Sequence, residues 1–167
     1  SGMRAIPGAI DEVWINPQTL EPTYRTIGDR PAQGICGSGM ISALAEMFVT
    51  GVVDKGGRLN RQLPAPRIRI GNHGPEYVLA LADPERGITA DVVLTEVDIA
   101  NLIRAKGAIY AGFSILTRSV GISLADVEEV LIGGSFGRYI NIEKAILIGL
   151  LPDMPWDRFR YLGNTSV

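Results

Sequence analysis

An α/β fold is predicted by three features of this 167-residue sequence. The first third is rich in short β-type runs, one helix opens directly from a run of glycines, and strand and helix patterns alternate through the second half. With 46% hydrophobic residues, the chain carries enough apolar side chain for one globular unit with a sizeable core, or for half of a larger domain.

Each element follows from local pattern. Ile10 to Ile15 contains Val13, Trp14 and Ile15 and is broken by Pro17, and Tyr24 to Ile27 follows, so the two read as adjacent strands. After Gly34 to Gly39, the residues Ile41, Leu44, Ala45, Phe48 and Val49 recur at helical spacing until Gly51 closes the run. Residues 51 to 66 are polar and turn-rich and read as a loop. Arg67 to Ile70, Tyr77 to Leu81 and Ile88 to Leu94 are three further strand candidates.

Thr95-Glu96-Val97-Asp98 offers a capping threonine with an acid three residues on, and it opens the longest helical run, through Ile99, Leu102, Ile103, Ile109, Tyr110, Phe113 and Leu116. Val130-Leu131-Ile132 is a short continuous apolar run ending at Gly133-Gly134, the pattern of a buried strand. Asn141 to Leu151 reads as a helix stopped by Pro152 and Pro155.

Composition narrows the function classes. Sixteen basic and eighteen acidic residues leave a net charge of −2 with no Lys/Arg run, so the footprint needed to grip a phosphate backbone is missing and nucleic acid is not the expected partner. The longest apolar stretches, such as Ala145 to Leu151, fall far short of the roughly 20 residues that span a bilayer, so no membrane is expected either. The single cysteine, Cys36, rules out an intramolecular disulfide and cannot by itself ligate an iron–sulfur cluster; a reducing cytoplasm fits best. A start at Ser1 and an end at Gly-Asn-Thr-Ser-Val read as a fragment, so residues 1–167 are expected to form a single unit cut from a larger protein.

Four sets of residues are candidates for chemistry. Gly34-Ile35-Cys36-Gly37-Ser38-Gly39 leads into a helix whose free N–H groups and dipole attract an anion; it also suits a tight turn that packs the helix on a sheet. It lacks the lysine of a P-loop. Gly133-Gly134-Ser135-Phe136-Gly137-Arg138 follows a strand, where bare backbone at a sheet edge admits a flat purine. Ser135 is placed to bond a base or ribose there, and Arg138 to cover the ring or reach a phosphate; a simple turn is the alternative. Asn101, Arg104 and Lys106 interrupt the apolar pattern of the long helix, as a solvated face does. Cys36 and His73 raise the prospect of a thiol nucleophile with its base, against core filling for a lone apolar cysteine.

Taken in order, Met3-Arg4-Ala5-Ile6-Pro7-Gly8-Ala9-Ile10, Gly34-Ile35-Cys36-Gly37-Ser38-Gly39, Ala105-Lys106-Gly107-Ala108-Ile109, Gly133-Gly134-Ser135-Phe136-Gly137 and Ile148-Gly149-Leu150-Leu151-Pro152 resemble the ATPase domain of reductive activators of corrinoid proteins. That family belongs to the superfamily of actin, sugar kinases and heat-shock chaperones, and the similarity covers nearly the whole chain. The resemblance implies a ribonuclease-H-like, actin-like lobe with a mixed sheet flanked by helices, forming the carboxy-terminal portion of the ATPase domain.

It further implies that Gly133, Gly134 and Ser135 form the adenosine motif, that Gly37, Ser38 and Gly39 face the nucleotide cleft, and that Lys106 flanks the adenine side. The implied cofactors are ATP or ADP with Mg2+, and a 2Fe-2S cluster in a region upstream of Ser1. The implied work of the whole protein is to use ATP hydrolysis to drive an electron onto a cobalt(II) corrinoid protein, restoring cobalt(I). The chain departs from the superfamily pattern in having no Asp-x-Gly-Thr phosphate loop and no cysteine-rich segment, so alone it is expected neither to hydrolyse ATP nor to carry electrons. Two alternatives stay open: a non-catalytic module of the same fold, docking a corrinoid partner or pairing as a homodimer, and a thiol acyltransferase using Cys36.

Overall fold

The computed structural model describes residues 2–133 and 139–163. Strands β1 (Ala9–Ile15), β2 (Pro22–Thr26) and β3 (Gly34–Ile35) precede helix α1 (Gly37–Thr50). Next come β4 (Ile68–Gly71), β5 (Gly74–Ala80), β6 (Val92–Thr95) and the long helix α2 (Glu96–Ser119). Strand β7 (Val130–Gly133), the short helix α3 (Ile142–Leu147) and β8 (Phe159–Gly163) complete the described order. Single helical turns at Ile27–Asp29, Pro84–Arg86, Leu124–Asp126 and Trp156–Arg158 join them.

The described strands form three sheets. In the first, β1 lies between antiparallel β2 and parallel β3. In the second, β4, β5 and β6 run antiparallel, and in the third β7 and β8 pair parallel. Mixed strand directions with helices packed on them make the α/β class of the sequence reading. The expected order of strand and helix in the second half is present as β6, α2, β7, α3 and β8.

Helix α1 is the hub. It packs along β1 and touches both α2 and α3. Ile10, Val13, Ile35, Ile41, Leu44, Met47, Val52, Tyr77 and Leu79 join across these elements in one core cluster. Removing such side chains from water supplies about 1.5–3 kcal/mol each before the entropy of ordering is subtracted. Strand β1 also buries two adjacent carboxylates, Asp11 and Glu12, at the point where its register with β2 shifts between Ile10 and Glu12. Asp11 receives both Nε and Nη2 of Arg25, at 3.1 and 3.0 Å. Glu12 meets a lysine from the far end of the chain.

The helix ends behave as their residues dictate. Gly51 terminates α1 at φ 77°, a left-handed conformation that glycine adopts without strain. Thr95 and Asp98 form the reciprocal capping pair, the Asp98 N–H donating to Thr95 Oγ1 and the Thr95 N–H to Asp98 Oδ2, each at 3.1 Å.

Several boundaries differ from the sequence reading. The strand expected from Ile88 begins only at Val92, because Asp83 and Ile88 bridge around the Pro84–Arg86 turn and Gly87 reverses the chain at φ 78°. Helix α3 ends at Leu147 rather than Leu151. Gly149, at φ 78°, breaks it before either proline is reached. Strand β7 is not the buried strand its apolar run suggested: its one partner among the described strands is β8, and Leu131 is 54% exposed. β3 and β8 were not anticipated, the one being two residues long and the other a mix of aromatic and charged residues. Among the described residues no helix is long and apolar enough to cross a membrane.

Candidate functional site

The predicted site residues fall into three places. Gly37, Ser38 and Gly39 form the first turn of α1, where Cys36 is the cap residue. This end of the helix is tightly packed. A Cβ on Gly39 would run into the carbonyl oxygen of Ile10 and lie 2.8 Å from Cγ1 of Ile35, so only glycine lets α1 approach β1 this closely. Ser38 is buried, with its Oγ 3.2 Å from the Cys36 sulfur, and Gly37 is the half-buried member of the three. Residues 2 and 3 lie alongside, Gly2 bridging to Ile35 and the Met3 N–H donating to the Ile35 carbonyl at 2.8 Å.

Lys106 lies at the other end of α1. Its Nζ is 5.6 Å from the centroid of the Phe48 ring, a cation–π distance. Ten residues of helix separate Ser38 from Phe48, about 15 Å at 1.5 Å per residue. The structure therefore does not bring Lys106 together with the Gly37–Gly39 turn. It joins Lys106 instead to Phe48, Val53, Asp54, Lys55, Leu147 and Ile148 around a cleft of about 600 Å³. That volume is within the range of roughly 300–1,000 Å³ of small-molecule sites.

Four elements build this cleft. Helix α1 supplies Phe48, the loop after it Val53 to Lys55, α2 supplies Lys106, and the end of α3 Leu147 and Ile148. The loop is held against α2 on two counts. The Leu59 N–H donates to Glu96 Oε1 at 2.9 Å, and a Cβ on Gly57 would fall 2.7 Å from Cδ1 of Ile103. The cleft thus offers an aromatic ring, aliphatic walls, two ammonium groups and one carboxylate, Asp54, a balance of one positive charge among the described lining residues. The carbonyl end of a helix repels anions, so the two lysines also offset the dipole of α1.

The third place is the end of β7. Gly133 closes that strand opposite Gly163 of β8. Gly134, Ser135, Phe136, Gly137 and Arg138 lie outside the described residues.

The remaining candidates are resolved by their surroundings. Arg104 Nη1 donates to Asn101 Oδ1 at 3.1 Å on the exposed side of α2, a solvated face. Cys36 is 1% exposed and its sulfur faces Ile10 O and Ser38 Oγ, whereas His73 is exposed on the turn between β4 and β5. No hydrogen bond joins them among the described residues, so the thiol has neither its base nor access to a substrate.

Sequence reasoning missed a polar cluster beside the cleft. Lys144 of α3 directs all three of its ammonium donors inward, to Glu12 Oε1 at 2.7 Å, Val13 O at 2.6 Å and Ser42 Oγ at 3.0 Å. Ser42 of α1 donates to Glu12 Oε1 at 2.7 Å, and Asn141 Nδ2 to the same oxygen at 3.2 Å. The available signal was Asp11-Glu12 inside an apolar strand, since buried carboxylates need partners.

A family model described as the C-terminal domain of RACo, the ASKHA domain, matches residues 1–167. The chain belongs to this family. Its fold is that of an ASKHA domain, the actin-like ATPase fold expected from the resemblance. Among solved structures, the protein titled "Reductive activator for corrinoid,iron-sulfur protein" superposes with a TM-score of 0.91 at 47% identity, over 98% of this chain and 26% of that one.

Two curated relatives are similar in sequence. "Corrinoid activation enzyme RamQ" of Eubacterium limosum is 34% identical over 98% of this chain and 28% of its own length. "[Co(II) methylated amine-specific corrinoid protein] reductase" of Methanosarcina barkeri is 27% identical over 100% of this chain and 30% of its own length. The chain therefore spans less than a third of the curated relatives it matches.

Proposed function

We propose that this ASKHA domain is the carboxy-terminal, adenosine-side lobe of an ATP-dependent reductive activator. The full protein would return a corrinoid partner from cobalt(II) to cobalt(I). The observation that carries the reading is the 47% identity to a structure titled reductive activator, over 98% of the chain. Support within the chain comes from the cleft, where Lys106 lies over Phe48 beside Lys55. A purine ring stacks against the Phe48 wall in this reading, and the lysines attract the phosphates that follow it. Gly133, Gly134, Ser135, Phe136 and Arg138 are proposed to complete the adenosine side on the strength of their sequence, and the backbone of the Gly37, Ser38 and Gly39 turn to face the nucleotide cleft.

The other cofactors are assigned to the longer protein. A 2Fe-2S cluster takes four ligands, and the chain has one cysteine, buried. Among the described residues no group of three or more His, Cys, Asp and Glu could hold a metal ion, so the residues here do not fit a magnesium cage of protein ligands. Asp54 is the one carboxylate among the described residues that line the cleft, and its Oδ1 accepts the Arg58 N–H at 2.9 Å. A cytoplasmic setting is part of the same proposal.

The test uses the full-length protein with its corrinoid partner. Cobalt(I) formation, followed by the change in the corrinoid absorption spectrum, is expected to require ATP and to be lost in Gly134→Asp. ATP-independent reduction at the same rate would remove the nucleotide from the proposal.

A further inference from the structure

We propose that Lys144 is a positioning residue for the cleft, acting through Glu12 and Ser42. The inference rests on the nucleotide reading above and adds a group that touches no ligand.

The geometry makes the connection. Lys144 lies one turn before Leu147 and Ile148, and residues three and four apart share one face of a helix. The face that carries Lys144 into its cluster therefore also presents the α3 wall of the cleft. The opposite wall, Phe48, belongs to α1, which enters the same cluster through Ser42 six residues earlier. Glu12 of β1 is the common anchor, with one oxygen receiving Lys144, Ser42 and Asn141.

Asn141 has a second part to play. Its Oδ1 caps α3 by accepting the Lys144 N–H at 3.0 Å, so the helix start and the lysine head are fixed on the same carboxylate. The Lys144 ammonium also stands 5.4 Å from the Trp14 ring, which closes it off on another side. The side chains of Lys144 and Glu12 are only 13% and 7% exposed. Every ammonium donor is used, so the head has one seat. The six-residue helix rests on the core through Ala145, which is fully buried, and the ion pair adds a tie that bridges 132 positions of sequence. The cluster thus sets the spacing of α1 and α3, and with it the width of the cleft between Phe48 and Leu147.

A merely structural ion pair is separated from a positioning one by comparing two variants of the full-length protein. Lys144→Met keeps the aliphatic stem but strands the Glu12 charge. Glu12→Gln with Lys144→Met removes both charges, so nothing charged is left buried without a partner, and this variant is the one expected to keep its melting temperature. ATP binding is read by calorimetric titration beside Tm. Misplacing a wall of the site is expected to raise the ATP Kd about tenfold in both variants, while Tm falls in the single variant and recovers in the double.

Wild-type ATP affinity in the double variant would overturn the positioning role and leave the pair as a fold support. If the wild-type full-length protein binds no ATP, the nucleotide reading fails and this inference falls with it. Wild-type binding with unchanged affinity in both variants sinks the inference alone.

Discussion

The two ends of α1 are packed differently. The amino-terminal end carries the glycine-rich segment that reads as an anion site, yet Ser38 and Gly39 are buried and the glycine at 39 is demanded by contact with Ile10. The carboxy-terminal end carries no motif, yet it opens onto the cleft where Phe48, Lys55 and Lys106 meet. A helix start attracts an anion only where its N–H groups can be reached. Here β1 packs closely on the first turn at Gly39, while Lys55 and Lys106 bring positive charge to the opposite end.

Breaking the packed end should have the largest effect. Gly39→Ala forces a methyl into the Ile10 carbonyl and is expected to cost about 3 kcal/mol, the upper part of the range for overpacking, read as a lower denaturation midpoint. Retained stability would show that α1 and β1 can move apart at this turn. At the open end, Lys106→Ala should weaken ATP binding by the full-length protein about tenfold, close to 1.4 kcal/mol, with little change in Tm. A drop in Tm without a change in Kd would make the Lys106–Phe48 contact a packing device.

Smaller effects sharpen the frame around the cleft. Thr95→Ala removes the acceptor for the Asp98 N–H at the start of α2 and should cost about 1 kcal/mol in thermal or chemical denaturation. Asp91 provides a pH signature far from the cleft. The Ala82 N–H, and then Arg69, hold its carboxyl below the ordinary value of 3.8. A lowered folded-state pKa gives stability that is present above the ordinary value and lost as pH falls through the folded one. Asp91→Asn should therefore lower stability modestly at neutral pH and flatten its decline below about pH 4. An acid limb identical to wild type would show that the Ala82 bond contributes nothing.

The fold was legible in the sequence wherever a pattern is local. Alternation and capping residues located β1, β5, α1 and α2, because a strand period, a capping pair and a terminal glycine each act within a few residues. β3 and β8 were not legible, since a two-residue strand and a mixed polar strand are defined by their neighbours. The candidate site was less legible still. By residue pattern Lys106 was visible as a polar break in an apolar helix and was marked as a site residue through the family resemblance alone, and its partner Phe48 looked like any core position. Lys144 and Glu12 lie 132 positions apart, a distance over which no spacing rule operates.

The measurement that bears most directly on the choice between the two ends is photolabelling of the full-length protein with 8-azido-ATP, followed by peptide mapping. A base held in the cleft predicts label on the peptides containing Phe48 to Lys55, Lys106, or Leu147 and Ile148, with protection by excess ATP. Protected label confined to residues 34–42 would place the base at the packed end of α1 and contradict the account.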